Sequence, residues 1–162
     1  MGIFSFIKNA GAKVFGVGKT TEEEAAEKSI KLIDAVNGLE LSVENLAIAI
    51  EEDKAIISGE AADLATKEKV ILVVGNTNGI GSVEDNMSVA PVEVVAEQVE
   101  VVEEIMAQFH TVGSGDTLGK IAKEFYGDPM KYTVIFEANK PMLSHPDKIY
   151  PGQVLRVPAL VD

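Results

Sequence analysis

The stretches HTVGSGDTLGKIAKEFYG (110–127), IFEANK (135–140) and PDKIYPGQVLRVP (146–158) specify the architecture of the carboxyl-terminal third of the chain. The first predicts a strand that turns into a helix, because Thr117 or Asp116 can accept hydrogen bonds from the free amides of the helix's first turn. A second helix and a final strand follow. The order strand, helix, helix, strand predicts two paired strands packed on two helices.

Residues 20–89 predict a second unit in the order helix, strand, strand, helix, strand. Thr20 or Thr21 can cap its first helix, whose first turn holds three glutamates where the helix dipole favours negative charge. Two apolar runs separated by a polar turn indicate a β-hairpin. The predicted bounds are strands over 46–50 and 55–59 around a four-residue turn at 51–54, a helix over 61–74 and a strand over 80–89.

The first 15 residues carry apolar side chains at helical spacing, with Lys8 and Lys13 off that face. We expect a short helix over residues 3–15 that docks on the following unit; a membrane-surface anchor is the alternative. Lys8 interrupts the apolar run before it reaches signal-peptide length, and Phe6 stands where a myristoylation motif has Ser or Thr. We therefore expect a cytoplasmic protein.

Residues 90–107 combine glutamate with valine and contain no lysine or arginine. This composition indicates an acidic linker, which is either a solvated charge run or in part a partner-binding helix. The predicted fold is therefore α+β with two small modules. Residues 1–89 form an amino-terminal helix plus an αββαβ module, 90–107 form the linker, and 108–162 form a βααβ module.

The composition argues against several classes of function. The 26 acidic and 14 basic residues give a net charge of −12, which repels phosphate backbones, so we expect no nucleic-acid partner. Cysteine is absent, which excludes disulfides and thiolate metal sites. No run of 18 apolar residues is present, so no membrane span is predicted. Neither a Gly-x-Ser-x-Gly elbow nor a phosphate-loop lysine occurs, so we expect no catalysis and a surface role for His110.

Residues 109–158 resemble a LysM domain through the stretches quoted above, which occur in that family's order. Residues 20–89 resemble a BON domain through IISGEA (56–61) and GNTNGIGSVEDNMSV (75–89). A BON module followed by a LysM module, behind the opening MGIFSFIKNAG, closely resembles the bacterial cytoplasmic potassium-binding protein family over nearly the full chain. The stretch 90–107 departs from the resemblance because it is longer than that family needs.

Potassium is a large cation whose hydration shell can be replaced by neutral backbone carbonyls, whereas carboxylates favour Ca²⁺ or Mg²⁺. The last four carbonyls of a helix lack partners within the helix and lie at its negative end. Two predicted helix ends stopped by glycine, at 7–12 and 71–75, suit such a site, unless the two ends never meet. The family resemblance places the ion between these segments and implies six backbone-carbonyl ligands, from Ile7, Ala10, Ala12, Gly75, Thr77 and Ile80.

An ion that bridges two segments orders them, so we expect K⁺ to compact the protein and to raise its melting temperature. The LysM resemblance implies a different candidate site, because LysM domains usually bind glycans that contain N-acetylglucosamine. The residues of that groove would be Gly115, Asp116, Thr117, Leu118, Pro146, Asp147, Lys148 and Ile149. The alternative is that they only cap and turn the fold. We therefore expect a K⁺ sensor or buffer, with a glycan- or protein-binding scaffold as the second possibility.

Overall fold

The computed structural model of the chain describes residues 2–6, 22–90 and 107–160. The elements of the amino-terminal module are β1 (Gly2–Ser5), α1 (Glu22–Asn37), β2 (Val43–Glu51), β3 (Lys54–Ala61), α2 (Leu64–Gly75) and β4 (Ser82–Val89). The elements of the carboxyl-terminal module are β5 (Gln108–Thr111), α3 (Leu118–Tyr126), a short 3-10 helix (Pro129–Lys131), α4 (Tyr132–Ala138) and β6 (Val154–Val157). The α+β class is confirmed, and so is the predicted order of elements from α1 to β6.

The amino-terminal module is built on a four-stranded sheet in the order β1-β4-β3-β2. Strands β3 and β4 are parallel and are connected through α2, whereas the two outer pairings are antiparallel. The inward side chains of the sheet pack against both helices. The largest buried members of this core are Leu32, Val36, Ile57, Val70, Ile71, Val74, Ile80 and Val83.

Helix α2 begins at a side-chain cap and ends inside the molecule. The Asp63 carboxylate accepts a hydrogen bond from the amide of Thr66 at 2.6 Å, which satisfies one free donor of the first turn. The second half of the helix is apolar on nearly every side, and residues 70–72, together with Val74 and Gly75, are buried. A helix that is apolar all round is covered on all sides, so its carboxyl end is enclosed rather than facing solvent.

The carboxyl-terminal module pairs β5 with β6 in an antiparallel two-stranded sheet against α3 and α4. Thr117 caps α3 as predicted, since its hydroxyl oxygen accepts a hydrogen bond from the amide of Lys120 at 3.2 Å. The helix ends at Gly127, whose φ of 74° lies in the left-handed region that favours glycine. The predicted amino-terminal cap of this helix is therefore confirmed.

The amino terminus differs from the prediction. Residues Gly2–Ser5 form a strand that pairs with the free edge of β4, with Phe4 opposite Val83, so the prediction of a helix from residue 3 is wrong at its start. Exposure alternates along residues 2–6, as in a strand with one covered face. The edge of β4 offers backbone partners that a local apolar spacing cannot reveal. Residues 7–15 of the predicted helix lie outside the described residues.

Two other predictions concern connections. The hairpin turn is shorter than predicted, because Glu51 already pairs with Lys54 and only Glu52 and Asp53 remain between the strands. Glu52 adopts a φ of 57°, which the tight turn requires. The predicted linker lies outside the described residues except for residues 90 and 107. Among the described helices, none has the length and apolar character needed to cross a bilayer.

Candidate functional site

The loop that joins α2 to β4 (residues 76–81, the α2–β4 loop) is polar and buried. Asn76, Thr77 and Asn78 expose only 6%, 8% and 7% of their surfaces. Buried polar groups normally have hydrogen-bond partners. Thr77 has them, since its amide donates to the carbonyl of Val74 at 3.1 Å and its hydroxyl to that of Val73 at 3.0 Å. Asn78 does not: among the described residues, its buried side-chain oxygen has no donor.

Three of the six nominated carbonyls belong to the end of α2 and this loop. Among the described residues, the carbonyl of Thr77 accepts a hydrogen bond from the amide of Ile80 at 3.1 Å. For the carbonyls of Gly75 and Ile80, the described residues supply no hydrogen-bond donor. The structure therefore brings Gly75, Thr77 and Ile80 together within one turn of chain. Ile7, Ala10 and Ala12 lie outside the described residues, so their part in the site stays a prediction.

The amino-terminal segment reaches the α2–β4 loop at Phe6. The amide of Phe6 donates to the carbonyl of Gly81 at 2.9 Å. Its ring lies directly over Gly75, so closely that a Cβ built on Gly75 would lie 2.1 Å from the ring. Ile7 is the next residue in the sequence. The two segments that the sequence analysis expected to share an ion are therefore in contact up to the last described residue before Ile7.

The same end of α2 also contacts the carboxyl-terminal module. The side-chain amide of Asn76 donates to the carbonyl of Val154 at 2.8 Å and accepts from its amide at 2.7 Å, so it pairs with β6 as a neighbouring strand would. The Tyr150 hydroxyl donates to the Asn76 carbonyl at 3.2 Å, and burial raises the pKa of that hydroxyl. Nearer the start of α2, Arg156 donates through Nε to the Glu68 carboxylate. These contacts place the two modules against each other next to the nominated carbonyls.

The first stretch of the predicted glycan groove is engaged in turns and caps. The Asp116 carboxylate accepts from the amide of Gly113 at 2.8 Å and lies 3.2 Å from Nε2 of His110, and both contacts lower the pKa of that carboxyl. Thr117 caps α3, and Leu118 is buried in the core. The carbonyl of Gly115 accepts from the ammonium of Lys120 at 2.7 Å. His110 is more buried than predicted, with its side chain only 19% exposed.

The second stretch of that groove is a loop of the same module. The amide of Lys148 donates to the carbonyl of His145 at 3.1 Å, and the amide of Asp147 to Nδ1 of the same histidine at 3.2 Å. Pro146 is half-buried, and Ile149 packs against the core. The side chains of Asp147 and Lys148 face solvent. Roles in turns, helix caps and core packing therefore explain most of the eight residues of the predicted glycan groove.

The described residues contain no group of three or more His, Asp or Glu side chains that could hold a metal ion. A cation bound to the described part of the α2–β4 loop would therefore be held by neutral oxygens. Neutral carbonyl oxygens suit K⁺ better than Mg²⁺ or Ca²⁺. The orphaned amide oxygen of Asn78 is of the same donor class, so the residues present fit a large monovalent cation.

Residues missed by the sequence analysis are Asn76, Asn78 and Glu68. The signal for the asparagines was present in the stretch GNTNG, where two asparagines follow a glycine-stopped helix. The partner of Asn76 could not be inferred, because Val154 lies 78 residues beyond it in the chain.

Comparison with known proteins places this chain among its relatives. Residues 110–158 match the model of the LysM domain family. A 49-residue stretch is 51% identical to an uncharacterized protein of Deinococcus radiodurans, covering 30% of this chain and 19% of that protein. Over 159 residues, 98% of this chain and 99% of the relative, the sequence is 40% identical to the potassium binding protein Kbp of Escherichia coli O6:H1. The chain therefore belongs to the same family as the potassium binding protein Kbp.

Proposed function

We propose that the protein is a soluble cytoplasmic K⁺-binding protein without catalytic activity, which acts as a K⁺ sensor or buffer. The relative named a potassium binding protein matches nearly the whole chain, which supports binding of the same ion. The observation that carries the proposal is the contact of Phe6 with Gly75 and Gly81, because it delivers the amino-terminal segment to the buried α2–β4 loop. We also infer that the αββαβ module is a BON domain, on the order of α1 to β4.

The proposed ligands are the carbonyls of Gly75, Thr77 and Ile80 from one segment and those of Ile7, Ala10 and Ala12 from the other. Burial favours such a site. A buried carbonyl without a donor raises the free energy of the folded state, and a bound cation can offset that cost. Side-chain identity matters little when the backbone supplies the oxygens. Backbone ligation also agrees with a site whose described part has no cluster of acidic side chains.

Binding would couple to the arrangement of the chain. Carbonyl dipoles that face one another repel without a cation between them, so K⁺ would favour the state in which the two segments meet. Asn76 lies between two proposed ligand residues, Gly75 and Thr77, and its side chain pairs with Val154 of the other module. The state of the loop would thereby influence how firmly the modules are held together.

Isothermal titration calorimetry of the full chain with KCl tests the proposal, with NaCl and chitin oligomers as comparison ligands. We expect saturable heat on adding K⁺, much weaker binding of Na⁺ and no heat with the oligosaccharides. Absence of saturable K⁺ binding would refute the proposed function. Saturable binding of chitin oligomers in its place would support the second candidate, a LysM-mediated glycan- or protein-binding scaffold, which the LysM match at residues 110–158 favours.

A further inference from the structure

We propose that the side-chain oxygen of Asn78 is an additional ligand of the cation at the α2–β4 loop, and that it tunes the site toward K⁺ over Na⁺. The inference rests on the proposed function and adds a side chain to a site otherwise made of backbone. Asn78 lies between two proposed ligand residues, Thr77 and Ile80, in the same turn of chain.

The side chain of Asn78 carries a buried polar atom that is unsatisfied among the described residues. Asn78 is 7% exposed, and its side-chain oxygen is the buried side-chain polar atom that lacks a hydrogen-bond partner among residues 2–6, 22–90 and 107–160. Leaving a buried amide oxygen unsatisfied costs free energy in the folded state. An asparagine that costs free energy at its position is explained if the oxygen has a partner that is not part of the chain.

The backbone gives no other reason for an asparagine at this position. Asparagine is often selected where a residue must adopt positive φ, but the non-glycine residues with positive φ in the described structure are Glu40, Asn45 and Glu52. The left-handed conformation in this loop is supplied by Gly79, with a φ of 99°. Asn78 is therefore not needed to form the turn.

The neighbouring polar side chains differ from Asn78 in having partners within the protein. Asn76 pairs with Val154, and the Thr77 hydroxyl donates to the carbonyl of Val73. Asn78 alone among these three presents a free, buried oxygen. An amide oxygen is a neutral donor like a peptide carbonyl, so it adds a ligand without adding charge. Larger cations accept more oxygen ligands than smaller ones, so an extra neutral oxygen favours K⁺ over Na⁺.

The experiment compares Asn78→Ala with Asn86→Ala in the full chain. Asn86 is an exposed asparagine on β4 and serves as the matched control. K⁺ and Na⁺ affinities are measured by calorimetry, and melting temperatures are measured in choline chloride and in KCl. We expect Asn78→Ala to weaken K⁺ binding by about tenfold or more and to narrow the preference for K⁺ over Na⁺. In choline chloride its melting temperature should not fall, because the substitution removes an unsatisfied group.

A second variant, Asn78→Asp, keeps the size of the side chain and replaces the neutral oxygen by a carboxylate. A ligating carboxylate raises affinity for hard divalent cations, so this variant should bind Ca²⁺ more tightly than the unmodified protein does. It decides the question even if Asn78→Ala does not fold, because unchanged cation preference in Asn78→Asp would overturn the inference.

The outcomes separate the inference from the proposed function. If the unmodified chain binds K⁺ and Asn78→Ala binds it equally well, the inference is wrong and the proposed function stands. If Asn78→Ala lowers the melting temperature by the same amount in choline chloride and in KCl, Asn78 has a structural role and the inference is wrong. If the unmodified chain does not bind K⁺, both fail.

Discussion

At the scale of single residues, the missing side chain of Gly75 allows the amino-terminal segment to reach the end of α2. The Phe6 ring occupies the volume in which a Cβ would stand, at 2.1–2.3 Å from the ideal Cβ position. Real Cβ contacts essentially never fall below 3.0 Å, so any larger residue must displace the ring. Displacement of the ring would weaken the hydrogen bond from the amide of Phe6 to the carbonyl of Gly81, which holds the segment just before Ile7 in place.

We expect Gly75→Ala to destabilise the protein by about 1–3 kcal/mol, as overpacking of a filled site does. It should also reduce the extra stability that K⁺ confers, because the segment that supplies Ile7 is displaced. Urea denaturation in KCl and in choline chloride measures both effects.

The control for that substitution is Gly119→Ala, also a glycine within a helix. The nearest atom to a Cβ built on Gly119 lies at 3.7 Å, so the methyl group fits there. Alanine is the better helix former, and this variant should be neutral or slightly more stable. Equal stabilities for the two variants would contradict the role assigned to the Phe6 contact.

What the sequence predicts at this scale depends on the distance between partners in the chain. The cap of α3 was predictable, because Thr117 and the amide of Lys120 lie three residues apart. The pairing of Asn76 with Val154 was not, because a separation of 78 residues leaves no local pattern. The orphaned oxygen of Asn78 was equally hidden, since burial of a polar loop follows from packing that only the folded chain supplies.

At the scale of elements, β6 is paired on one side by β5 and on the other by two asparagine side chains. Asn76 pairs with the backbone of Val154 from the amino-terminal module. Asn139 pairs in the same way with the backbone of Arg156, donating at 2.7 Å and accepting at 2.8 Å, from within its own module. The two amides therefore satisfy alternate residues along the outer edge of one strand.

This arrangement predicts the amide exchange of β6. In Asn76→Ala the amide of Val154 loses its acceptor, and we expect its hydrogen exchange to become about tenfold faster or more. The amide of Arg156 should keep its protection, because Asn139 still accepts from it. Exchange followed by NMR distinguishes the two amides within one sample.

The reciprocal variant provides the control. Asn139→Ala should release the amide of Arg156 and lower the stability of the carboxyl-terminal module, since Asn139 is completely buried. Unchanged exchange at Val154 in Asn76→Ala would show that the modules are not held by this pair in solution.

Whole elements were predicted better than their ends. The helices and strands from α1 to β6 appear where hydrophobic periodicity placed them. The exceptions are β1, whose apolar spacing also fits a helix, and the hairpin turn, which has two residues in place of four. Both outcomes depend on strand pairing, because the edge of β4 and the register of β2 on β3 decide which residues adopt the extended strand conformation.

At the scale of the whole molecule, one end of α2 connects three parts of the chain. The Phe6 ring lies over Gly75, the α2–β4 loop follows, and Asn76 contacts the carboxyl-terminal module. A cation bound at this point would act on the amino terminus and on the docking of the modules at once. The net charge of −12 also concentrates cations near the surface, but salt screens that effect and it does not distinguish K⁺ from Na⁺.

We expect K⁺ to lower the radius of gyration and to raise the melting temperature, with a much smaller effect of Na⁺. Small-angle scattering and thermal unfolding in KCl, NaCl and choline chloride at equal ionic strength separate specific binding from charge screening. Identical scattering curves and melting temperatures in the three salts would contradict the coupling between ion binding and shape.

The amide of Asn76 also has a consequence for the carboxyl-terminal module when it stands alone. A fragment that begins at residue 107 retains Asn139 but lacks Asn76, so the N–H and C=O of Val154 are left without their partner. Unpaired backbone groups along a strand are a template for other extended chains. Docking of the two modules thus protects the outer edge of β6 from pairing with other chains. The excised carboxyl-terminal module should therefore aggregate more readily than the full chain.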